Sequence, residues 1–62
     1  MNLKELAYVW FNGDRNDINF VNTAYNILTS INVLTDEDEQ RYDVLYRDMV
    51  DAMEGYARVQ VL

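Results

Sequence analysis

Sixty-two residues suffice for one small domain, and a chain of that size buries only about 60% of the surface its unfolded form exposes. With no cysteine and no histidine, neither disulfides nor an imidazole or thiolate metal centre can reinforce the fold, so helix packing or self-association must do so. Eleven acids against five bases leave a net charge of −6, which repels phosphate backbones and anionic headgroups and excludes direct nucleic-acid or membrane binding as the first expectation.

Leu3, Leu6, Ala7 and Trp10 recur at i, i+3, i+4 and i+7, the spacing that stacks side chains on one helical face. A first helix over about 2–12 follows. Asn12-Gly13 ends it, with the glycine expected in the left-handed conformation that closes many helices. Asp14, Asn16 and Asp17 are each able to cap a second helix, expected over about 17–32. Its apolar residues, Ile18, Phe20, Val21, Ala24, Tyr25, Ile27, Leu28 and Ile31, cover about half the circumference at ~100° per residue, which suits the middle member of a bundle. The remaining half, Asn19, Asn22, Thr23, Asn26, Thr29 and Ser30, is polar but uncharged.

The third helix, expected over about 36–57, carries the clearest stripe: Tyr42, Leu45, Tyr46, Met49, Ala52, Met53 and Tyr56. Together these elements predict a single all-α domain over 1–62, a small three-helix bundle. The alternative is a βααβ arrangement with paired terminal strands. It draws on the strand formers of Ala7–Phe11, on the alternating, β-branched stretch 58–62, and on Gly55, which would stop the third helix early.

Residues 36–39 are four carboxylates in a row. A calcium loop of the EF-hand type needs glycine at its sixth position and glutamate at its twelfth. Counted from Asp36 those positions hold Arg41 and Arg47, and counted from Asp14 they hold Asn19 and Tyr25, so both registers fail. A helix start fits instead: Thr35 is placed to cap the first turn, where the helix dipole favours the negative charge of Asp36, Glu37 and Asp38. Asp38 stands at the capping-box position as a short substitute for glutamate. Downstream, Glu37 and Arg41, Asp43 and Arg47, and Glu54 and Arg58 stand four residues apart in the orientation that favours exposed ion pairs.

Imidazole and thiolate chemistry are absent, Ser30 is the only serine, and the two glycines are too isolated to form a phosphate-binding loop. The sequence predicts no enzyme, no cofactor and no metal site. No apolar run approaches the ~18 residues of a membrane span, and the basic and apolar regions of a signal peptide are missing, so a cytoplasmic protein is expected. Eight aromatics are hard to bury completely in so short a chain. The expected function is therefore contact with another protein, including a second copy of itself as a homodimer, through Tyr8, Trp10 and Phe11. The competing reading is a nucleic-acid mimic, of the sort a phage or other mobile element encodes. Its acidic face of Asp36, Glu39, Asp43, Asp51 and Glu54 would occupy the basic groove of a host protein.

Overall fold

Asn2 starts the first helix: its Oδ1 accepts a hydrogen bond from the Glu5 amide at 2.8 Å, and the chain turns helical from Leu3 to Asn12 (α1). Asp17 starts the second in the same way, accepting from the Asn19 and Phe20 amides at 3.0 and 3.4 Å ahead of Ile18–Ser30 (α2). Thr35 starts the third, its Oγ1 accepting from the Asp38 amide at 3.1 Å ahead of Asp36–Val61 (α3). Each cap satisfies amides that a helix leaves without internal partners. The structure, a computed structural model, describes the backbone of residues 1–61 and the side chains of residues 1–55.

The architecture is a small all-α bundle in which each helix packs on the other two. Leu3, Leu6 and Trp10 of α1, Val21, Ala24 and Leu28 of α2, and Leu45 and Met49 of α3 form one closed core, with every member at most 3% exposed. Ala7, Phe20, Tyr25, Ile27, Ile31, Tyr42, Ala52 and Met53 are half-buried around it. The periodic stripes thus converge as their spacing implies, except that Ile18 and Tyr46 sit at the margin, 40% and 39% exposed. Tyr56 of the third stripe and the Glu54–Arg58 pair involve side chains outside the described residues.

The βααβ alternative is not supported, because Ala7–Phe11 and 58–61 are both helical. Local strand propensity yields here to the apolar stripes, whose burial is worth about 25 cal/mol per Å². Gly55 likewise fails to stop α3, and the helix runs about 39 Å at 1.5 Å per residue. A Cβ at Gly55 meets nothing within 4 Å. Gly55→Ala is therefore expected to stabilise the protein by about 0.5–1 kcal/mol, the helical penalty of glycine relative to alanine. A urea midpoint that stays put or falls would mean that the helix ends at residue 55.

Two other boundaries differ from expectation. α2 stops at Ser30, two residues early, where the Thr29 and Ser30 hydroxyls donate back to the Tyr25 and Asn26 carbonyls, an arrangement that weakens a helix locally. Gly13 closes α1 with φ −93° and ψ 179°, which is extended rather than left-handed. Its requirement is spatial, since a Cβ there would overlap the Phe20 ring.

Candidate functional site

Because successive residues of a helix point ~100° apart, neighbours in sequence can face opposite environments, and α1 separates Trp10 from Phe11 in this way. Trp10 is fully buried. Its ring stacks on Phe20 of α2, with centroids 5.6 Å apart and planes 5° from parallel. Its Nε1–H donates to Asp48 Oδ2 of α3 at 3.2 Å. The other oxygen of Asp48 pairs with Arg15 Nη2 at 3.3 Å, and the Arg15 guanidinium lies 5.6 Å from the centre of the indole ring. Asp48 thus joins α3, α1 and the α1–α2 loop. Sequence spacing gave no sign of this, because the partners of Asp48 stand far away in the chain and not four residues on.

Phe11 and Tyr8 point outward and are 58% and 73% exposed. Phe11 shares with Ala7, Glu37, Gln40, Arg41 and Val44 a groove between α1 and α3 of about 410 Å³. Val44, 56% exposed, forms its apolar wall on α3. Sequence reasoning missed Val44, although its position beside Leu45 on the edge of the stripe was a usable signal. Tyr8 is one turn before Phe11 on the same side of α1. Of the three residues expected to meet a partner, the structure brings Tyr8 and Phe11 to one surface and seals Trp10 in the core.

The groove is bordered by balanced charge. Arg41 is held between Glu37 at 3.1 Å and Asp38 at 3.4 Å, so the capping-box carboxylate turns to this arginine. Lys4 stands on the Phe11 side of α1 at i, i+7 spacing. By contrast, Asp36, Glu39, Asp43, Asp51 and Glu54 are all exposed along α3. Asp36, Asp43 and Glu54 fall on one line of that helix, at i, i+7 and i+18, with Arg47 between them. The Asp43–Arg47 pair is not closed among the described residues, nor do three acids converge there as a metal site would require.

Two further surfaces complete the molecule. On the seam between α2 and α3, Tyr46 lies 5.9 Å from Tyr25 and 6.0 Å from Tyr42, centroid to centroid. Hydrogen bonding with the Tyr46 side chain, its charge when ionised, burial and Tyr42 together push the Tyr25 hydroxyl above its ordinary pKa of 10.0. A second hollow, about 480 Å³, lies between α2 and Met1 and is lined by Thr23, Asn26, Ile27, Ser30 and Ile31. No described helix is long and apolar enough to cross a membrane. The chain matches no family model, no curated protein and no solved structure.

Proposed function

We propose that the chain is a small, non-catalytic interaction module of the cytoplasm that binds another protein through the groove between α1 and α3. The observation that carries this reading is that Phe11 stays 58% exposed in the wall of an apolar groove, with Tyr8 exposed one turn before it, while Leu3, Leu6 and Trp10 of α1 close into the core. Aromatic side chains that a partner can bury beside a groove are a frequent seat of binding energy in protein interfaces. Phe11 and Tyr8 act as the anchors, Val44 and Ala7 as apolar lining, and Trp10 serves the fold.

The test compares Tyr8→Ala and Phe11→Ala with a variant carrying Asp36→Asn, Asp43→Asn, Asp51→Asn and Glu54→Gln. Each is immobilised and used to capture proteins from the native cell, after circular dichroism has established that it remains helical. Either aromatic substitution is expected to weaken capture of the partner at least tenfold, about 1.4 kcal/mol, and the charge variant less. The reverse order would sink the groove reading.

A second reading, the acidic decoy of a nucleic-acid-binding protein, is favoured by one observation: six exposed carboxylates, Asp36, Glu37, Glu39, Asp43, Asp51 and Glu54, distributed along a single long helix. Arg47 interrupts their line, which weakens the resemblance to a phosphate backbone. A decoy complex would loosen steeply from low to moderate salt, because its attraction is distributed and screened.

A further inference from the structure

We infer that the groove between α1 and α3 is occupied by a second copy of this chain, docked about a two-fold axis so that Phe11 of each copy enters the hollow between Ala7 and Val44 of the other. The inference rests on reading this groove as an interaction surface, and it names the occupant. In a two-fold dimer the same patch serves both copies and must be self-complementary, presenting a projection and a matching recess side by side. Phe11 is the projection, 58% exposed, and the roughly 410 Å³ groove it borders is the recess.

Charge selects the same face. Two copies at −6 each repel, so they can meet only where acids do not confront acids. In the groove, Arg41 offsets Glu37, with Lys4 two turns from Phe11 on the same side of α1, whereas Glu39, Asp43, Asp51 and Glu54 would face their own images if the outer side of α3 were used. The outer face of α2 is also free of charge, but it presents the amides of Asn19, Asn22 and Asn26, whose burial without new partners costs free energy. The groove combines paired charge, Glu37 with Arg41, with the exposed apolar side chains of Phe11 and Val44.

Size sets the strength. α1 is about 15 Å long, and two helices packed about 8–10 Å apart make a contact smaller than a standard interface, which buries roughly 800 Å² per partner. A weak dimer, with a Kd on the order of micromolar, is expected. Because the copies carry like charge overall and meet at an apolar patch, the dimer tightens as salt screens the repulsion. A decoy complex would respond in the opposite sense.

Sedimentation equilibrium of the full chain from about 1 to about 100 μM, a range that spans a micromolar Kd, tests this at low and at moderate salt. The expected result is a monomer–dimer equilibrium that strengthens with salt, is weakened at least tenfold by Phe11→Ala, and is unchanged by Asn22→Ala on α2. The chain has no cysteine, so Phe11→Cys and Val44→Cys variants mixed under mild oxidation should yield the mixed disulfide between copies. Circular dichroism of every variant separates lost docking from lost folding. A folded monomer throughout, a dimer indifferent to Phe11→Ala, or a dimer that loosens with salt overturns the inference. A monomer that still captures a different protein through Phe11 overturns it while leaving the interaction-module reading intact. A Phe11-dependent dimer that captures nothing else supports it and makes the second copy the partner.

Discussion

Trp10→Ala is expected to abolish, or nearly abolish, cooperative unfolding, while Phe11→Ala next to it leaves the melt almost unchanged. A domain of this length has a total stability of about 3–9 kcal/mol, taking roughly 0.05–0.15 kcal/mol per residue. Truncating a buried tryptophan removes about 3–5 kcal/mol through lost transfer energy and the cavity left behind. Here the loss also strips Phe20 of its stacking partner and Asp48 of its donor. Phe11 is 58% exposed and its removal opens no cavity in the core, so its stability effect belongs with surface substitutions, about ±0.5 kcal/mol. Thermal and urea melts decide the matter. A Trp10→Ala protein that unfolds cooperatively within about 1 kcal/mol of the parent would mean that Trp10 is not in the core.

Asp48→Ala should be the most damaging loss of any acid in the chain, at about 1–3 kcal/mol. That is the penalty for leaving the buried Trp10 N–H without an acceptor. The ion pair with Arg15 adds little, since the two side chains are 30% and 47% exposed and water screens them. Thr35→Ala, which removes an exposed cap, should cost about 1 kcal/mol and therefore no more than Asp48→Ala. Asp48→Asn keeps an oxygen for the indole and falls below Asp48→Ala. A double-mutant cycle with Trp10→Phe, which lacks the donor, should return a coupling of about 1 kcal/mol. Additive effects would mean that the hydrogen bond contributes nothing.

How far these features could be read in advance depended on their range. Periodicity is a local signal, and Leu3, Leu6 and Trp10, or Leu45 and Met49, announced their burial by spacing alone. Caps are equally local, as Asp17 and Thr35 illustrate. The end of α3 was misread because Gly55, Val59 and Val61 carry weak helix propensity, yet the helix continues through them. The link between Asp48 and Trp10 spans 38 residues and leaves no periodic trace. Gly13 misled in another way: its position at a helix end suggested a backbone conformation, when the true constraint is the room taken by a ring seven residues later. For the groove, the sequence supplied the two aromatics off the core stripe, but α3's contribution of Val44 needed the packing of one helix against another.

The hydrogen bond from Trp10 to Asp48 also sets a timetable for synthesis. Chains emerge from the ribosome N-terminus first, at about 5–20 residues per second, so the α1 and α2 segments emerge before their tether on α3 exists. Two helices of 10 and 13 residues are marginal on their own in water, near or below the ~12–15 residues at which isolated helices persist. The nascent chain therefore holds its one tryptophan exposed until Leu45, Asp48 and Met49 have emerged. Its fluorescence, read on stalled chains of increasing length, should change in one step as that segment clears the exit tunnel.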